Sequence, residues 1–332
     1  MLAGLKTEHN PMATARRIAW LTLGVMGPAV FAAAQETAPA SPPVAPKSEA
    51  AAGTEPGSAK GYLGPPSWTV QVEPWVWWVS PSGKVRLPAT SGSGGSGGGG
   101  FPDSGDKVRV EDLNLDTPRL SPAGRLHANA ENFRFTFTGG IDQVSRDRTI
   151  ADSAFRLGSV AVAPGDALNV DFHLAAFETT LGYQVWGRDF ADRSSEPASA
   201  VQTDLRLYAF GGARFTDFSL DVKRLSGAPG AAGADEFYVE PIVGLRLEAE
   251  LGGAFSIGVE VSGGYYADSD RSIWSIDVAA AFTWRPCPNV GIQIGWRQLA
   301  ESLTDGDDGA ETERFEYDGR LAGVFAGVMI RF

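Results

Sequence analysis

The chain has 332 residues, 28 of them basic and 40 acidic, for a formal net charge of −12. That balance argues against a nucleic-acid partner, which would be met by a basic face. Beyond the amino terminus no stretch reaches the roughly 18 uninterrupted apolar residues of a membrane-spanning helix, and the single cysteine, Cys287, excludes an intramolecular disulfide.

Residues 1–34 read as a secretory signal. Arg16 and Arg17 form its positive region, Ile18 to Val30 its apolar stretch, and Ala32-Ala33-Ala34 a small-residue cleavage site. Residues 35–66 follow as a tether, Ala/Pro-rich and almost without large apolar side chains over 35–60. Such a segment buries too little surface to offset its ordering entropy, so a disordered periplasmic lead is expected. Residues 67–332 form the remaining domain.

Its first strand is placed over 68–80, WTVQVEPWVWWVS. Trp68, Val70 and Val72 share one face and Trp75, Trp77 and Val79 the other, so the apolar face changes sides at Glu73-Pro74. A bulge there would account for the change and for a proline that cannot donate to a ladder. Residues 91–100, SGSGGSGGGG, read as a flexible loop. Alternation then returns over 121–129, 132–146, 168–186, 203–222, 236–251, 254–267, 272–285, 289–300 and 315–332. The clearest faces are Phe133/Phe135/Phe137, Leu205 to Phe215, Val243 to Leu251, Phe255 to Val261 and Ile276 to Trp284. The opposite faces carry Gly, Ala, Ser and scattered charges of both signs. That suits a crowded, hydrated lumen better than an open, water-facing surface.

Connection lengths agree. Tight turns near 130–131, 252–253 and 286–288 alternate with longer segments near 81–120, 147–167, 223–235 and 301–314. Two connections depart from the alternation: 187–202 is long where a turn is expected, and 268–271 is short where a loop is expected. Two aromatic girdles are predicted. One holds Trp68, Phe133, Trp186, Phe255, Trp284 and Phe332; the other holds Trp77, Phe218, Tyr238, Tyr265, Trp274, Trp296 and Tyr317.

The chain ends L-A-G-V-F-A-G-V-M-I-R-F, with Ala322, Val324, Ala326, Val328, Ile330 and Phe332 on one face. With WTVQVEPWVWW, the phrases Gly244-Leu245-Arg246 and Gly295-Trp296-Arg297, and the run Gly323 to Phe332, the chain resembles small Gram-negative outer-membrane β-barrel proteins, the OmpA/OmpW-like superfamily, over about 65–332. The resemblance implies an outer-membrane address and outer-membrane lipid and lipopolysaccharide as surroundings. It also implies a terminal strand, ending in Phe332, that the barrel-assembly machinery reads. It brings no catalytic residues and no cofactor.

Three groups could carry function. Arg134, Arg206, Arg214, Arg246 and Arg297 are expected to face Glu240, Glu248, Glu250, Glu260 and Asp277 across a narrow lumen, where charges must pair. They make either a salt-bridged plug or a path for small solutes or ions. Asp171 and His173 share a strand face, where an acid could orient an imidazole base. With Asp268 and Asp270 on an external loop they supply the composition of a surface hydrolase, protease or lipid-modifying. The third, TDGDDGAETE over 304–313, is acidic but lacks the spacing of a calcium loop. His127 and His173 are too few for a zinc site, so no metal is expected.

These readings commit to an all-β, closed, antiparallel up-and-down transmembrane barrel of about ten strands, eight or twelve being the alternatives. Its expected role is structural, surface-interacting or that of a narrow porin, and non-enzymatic, with a surface hydrolase as the competing reading.

Overall fold

The computed structural model describes residues 68–89, 107–190, 203–227, 230–306 and 314–332. The signal, the tether, the glycine loop 91–100 and most of the acidic segment 304–313 lie outside the described residues.

Ten long strands form one antiparallel sheet that closes on itself. They are β1 (Trp68–Arg86), β3 (Arg119–Ala130), β4 (Phe133–Ile150), β7 (Ala167–Phe190), β8 (Thr203–Arg224), β9 (Gly230–Leu251), β10 (Phe255–Ala267), β11 (Arg271–Cys287), β12 (Val290–Asp305) and β13 (Phe315–Arg331). Each pairs with the next, and β13 returns to β1 in one unbroken register from Gln71↔Arg331 to Arg86↔Glu316. Backbone bonds between Val70 and Phe332 finish the seam. A two-residue strand β2 (Val108–Arg109) pairs with β1, and a hairpin of β5 (Phe155–Leu157) and β6 (Val160–Val162) forms a separate small sheet.

Trp68 and Phe332 lie at one end, with the turns 131–132, 252–254 and 288–289; we call it the terminal end. At the other, far end, the strands run well past what a bilayer requires. β8 has 22 residues and β7 has 24, whereas a tilted transmembrane strand needs roughly 9–11. Many of the described residues between 81 and 120, and between 147 and 167, are therefore strand, 3-10 turn or hairpin rather than loop. The long connection after β7 and the three-residue link between β10 and β11 fall where the sequence placed them.

The outside of the terminal-end half is apolar. Phe133, Phe135 and Phe137, Val243, Leu245 and Leu247, Phe255 to Val261, and Ile292 and Ile294 are all exposed. All six members of the first predicted girdle point outward, from Phe255 at 41% exposed to Phe332 at 73%. The second girdle needs correction. Tyr265, Trp274 and Trp296 face out, but Trp77, Phe218, Tyr238 and Tyr317 are buried inside the barrel.

The expected bulge at Glu73-Pro74 is also absent. β1 keeps one register with both neighbours through this point. Trp68, Val70, Val76 and Trp78 face out, while Glu73, Trp75, Trp77 and Val79 face in. The strand's parity never changes; the surroundings do. Beyond the lipid the outer face meets water and the inner face meets a dry core, so the apolar side of the strand moves from outside to inside. β8 does the same, with Phe215 facing outward and Phe218, Leu220 and Val222 buried within.

Candidate functional site

The lumen has three levels. The lowest, at the terminal end, is a cavity of about 470 Å³ that opens at the barrel mouth. Its wall carries Arg125, Arg134, Arg206, Arg246, Arg285, Arg297 and Arg331, against Glu73, Glu131, Glu248, Glu250 and Glu260. Inward positions of β1, β3, β4 and β8 to β13 supply these side chains, with Glu131 coming from the turn between β3 and β4, because every second residue of a barrel strand faces the lumen.

Most of the charges are paired. Arg134 donates to both oxygens of Glu248, at 2.5 and 2.9 Å, and lies over the Tyr208 ring at 4.2 Å. Arg246 contacts Glu248 at 2.7 Å and Glu260 at 3.1 Å, and Arg125 reaches Glu260 at 3.1 Å. Arg206 pairs with Asp204 near the mouth. His127 is 2% exposed and sits among these groups. Arg246 Nη1, which can only donate, lies 3.2 Å from His127 Nε2. Nε2 therefore holds the lone pair, and Nδ1 holds the proton, which it gives to Thr136 Oγ1 at 2.9 Å. In that tautomer the ring takes no proton from Thr136, so the pair is a strut between β3 and β4 and not a nucleophile with its base.

The middle level is a buried ionic layer centred on Arg214, whose side chain is fully buried. Its Nε and Nη2 donate to Glu178 Oε1 at 3.1 and 3.0 Å, and Nη1 donates to Glu240 at 3.2 Å. Ser262 Oγ accepts at 3.1 Å, and Ser275 Oγ also accepts. Arg297 donates to Asp277 and, at 3.0 Å, to Glu178. Glu301 accepts from Thr216 at 3.1 Å.

The top level is an apolar plug within the far half. Phe218 meets Phe172, Phe315 and Tyr317 with ring centroids 5.8, 5.1 and 4.8 Å apart. Leu113 and Leu115, beside β2, and Leu157 and Val162 of the hairpin pack into the same cluster. Gly158 turns the hairpin at φ 55°, where a side chain would meet the Pro88 carbonyl at 2.7 Å. Asp166, just before β7, accepts from the Ala163 N–H and from Ser226 Oγ, each at 2.8 Å, with Arg224 3.7 Å away. The Ala163 bond first, then Ser226 and Arg224, hold its carboxyl below the usual carboxylate range. This tie persists above that range and is lost as pH falls through the lowered value.

All ten charges that the sequence placed in the lumen (Arg134, Arg206, Arg214, Glu240, Arg246, Glu248, Glu250, Glu260, Asp277 and Arg297) lie on inward positions. Glu178, Glu301, Arg125, Arg285, Glu73 and His127 join them unanticipated. Their signal was available: each is a polar residue on the lumenal parity of a transmembrane strand. The remaining candidates sit elsewhere. Asp171 and His173 are on the barrel's outer surface, where Asp171 accepts from Ser145 and His173 Nε2 lies 3.7 Å from Asp217. Asp268 and Asp270 are exposed in the link between β10 and β11, separated from β7 by β8 and β9. These four are not brought together. Cys287 is exposed at the end of β11, and no cluster of metal-ligating side chains occurs among the described residues.

A closed barrel with ion pairs inside and an unbroken apolar belt outside is stable only where the belt meets lipid. The chain is an outer-membrane β-barrel. No protein-family model and no curated protein matches it. Among solved structures it is similar to the outer membrane protease OmpT from Escherichia coli, at 12% identity and TM-score 0.42, with 80% of this chain and 97% of that one covered. It is also similar to Ail, the attachment invasion locus protein of Yersinia pestis, at 10% identity and TM-score 0.28, covering 79% and 99%. The Pseudomonas putida toluene transporter TodX is similar at 9% identity and TM-score 0.25, covering 79% and 89%. A barrel form by itself implies no particular activity.

Proposed function

We propose that this outer-membrane barrel is non-enzymatic and non-conducting, with a structural and surface-interacting role. The observation that carries the reading is the plug. A solute entering from the terminal end meets the Arg214 layer and then a dry aromatic cluster whose centre, Phe218, is fully buried. A narrow porin would instead keep a polar path along its whole length. The separation of Asp171 and His173 from Asp268 and Asp270 removes support from the hydrolase alternative, which needs its acids and base around one substrate. Lipopolysaccharide is the proposed neighbour of the extended far-end strands. The assembly machinery is the proposed reader of the terminal strand, whose last residue, Phe332, holds its backbone in the seam while its ring faces outward.

Planar-bilayer recording tests the reading. Folded wild-type protein, its insertion verified by protease protection, is expected to give no conductance steps. A variant in which 152–163 is replaced by a short Gly-Ser link should give small ones. Discrete steps from the wild type would overturn the sealed-barrel reading.

A further inference from the structure

The terminal-end cavity is larger than a structural ionic layer requires. At about 470 Å³ it falls in the size range of small-molecule sites. Its wall carries seven arginines against five glutamates, in a chain whose net charge is −12. A cationic recess in an anionic protein concentrates anions locally, the more so between low-dielectric walls.

The imbalance has a location. Arg285 and Arg331 both turn to one carboxylate, Glu250, at 3.2 and 3.6 Å. Arg285 also donates through Nε to the Gly253 carbonyl at 3.2 Å. Its side chain is only 3% exposed, yet its Nη2 has no hydrogen-bond partner. A buried guanidinium nitrogen left unpaired is expensive unless something else supplies the acceptor. Nearby the cavity wall is amphipathic, with Met329, Phe325 and Trp75 beside Gln293.

We propose that this cavity is a binding site for a small molecule bearing a carboxylate or phosphate oxyanion, held by Arg285 and Arg331. The Nη2 of Arg285 offers one charge-assisted donor to an oxyanion, its Nε and Nη1 being held by Gly253 and Glu250, and Arg331, half-buried at the mouth, closes on it from the side. The aromatic and thioether surface would cover the rest of the molecule. Among the described residues the site opens toward the terminal end, so its ligand arrives from the periplasm or from the inner-leaflet headgroups. It is independent of whether the barrel conducts: bilayer recording decides the seal, and binding decides the site.

Calorimetric titration of the detergent-folded full chain tests the proposal, with pyrophosphate and citrate as soluble probes, dihexanoyl phosphatidic acid as a headgroup probe and sucrose as a neutral control. The expected result is saturable binding of at least one anionic probe and none of sucrose. Arg285→Gln and Arg331→Gln should each weaken it about tenfold or more, as expected for loss of a charge-assisted bond. Arg331→Gln lies at the mouth and keeps the test valid if Arg285→Gln folds poorly. Binding of the soluble anions assigns the source to periplasmic solutes, and binding of the lipid alone assigns it to headgroups. No saturable binding of any anion, or affinities unchanged in both variants, would overturn the proposal.

Discussion

Arg214→Met should lower the unfolding free energy of the barrel by about 3–5 kcal/mol, the usual penalty for stranding a buried charge partner. Arg214 is the main cation between Glu178 and Glu240, and it lies 3.7 Å from Asp277. Without it, Glu178 and Asp277 keep Arg297, whereas Glu240 and Glu301 lose the guanidinium that acts on them. Ser262 and Ser275 also lose their guanidinium partner. Urea unfolding in lipid vesicles, followed by the gel shift between folded and unfolded bands, reads the loss as a lower midpoint. The double variant Arg214→Met with Glu240→Met should recover part of it, because removing both members of a buried pair costs far less than removing one. A loss below about 1 kcal/mol in the single variant would mean that water reaches the layer and screens it.

The second large effect is at the seam. Gly323→Val should abolish barrel closure, and Gly323→Ala should impair it severely. A Cβ at Gly323 would lie 1.9 Å from the Trp78 carbonyl oxygen and 3.0 Å from the Val79 Cα, both backbone atoms of the strand that closes the sheet. Neither can move aside while Val79 stays in register with Gly323. An open barrel leaves two unpaired edges in hydrocarbon, which a bilayer does not tolerate. Gly258→Ala is the matched control, since a Cβ there meets nothing within 4 Å. Refolding yield scored by the gel shift should fall to near zero for Gly323→Val and stay at the wild-type level for Gly258→Ala. Equal yields would show that the seam is looser than its register implies.

The lipid-facing half of this fold was legible in the sequence. Period-two alternation with bulky apolar residues on one side and glycine, serine and charge on the other fixes both strand type and orientation, as Val243 to Leu251 and Phe255 to Val261 illustrate. The plug was not legible, for a physical reason. Alternation reports which face is apolar but not which solvent each face meets. Phe218, Tyr238 and Tyr317 continue aromatic strands and so read in sequence as a lipid-interface girdle, whereas they sit in the far half, where the apolar face turns inward. The same ambiguity made Trp75 and Trp77 look like the product of a bulge. The lumenal charges were legible as a group, since a charge on the inward parity of a transmembrane strand has few other places to be. Their partition into an open cavity and a sealed layer depends on side-chain lengths and cross-barrel distances, and neighbours in sequence do not report these.

Among the described residues the lumen is asymmetric: it holds an open cavity at the terminal end and is filled by the apolar cluster in the far half. Ser256 lines the open cavity at the start of β10. In a Cys287→Ser background, Ser256→Cys should resist a maleimide too large to cross the outer membrane when it is added to intact cells. The same reagent should label it once that membrane is permeabilised. Labelling of intact cells would contradict the seal at the far end, and failure to label after permeabilisation would contradict the open mouth.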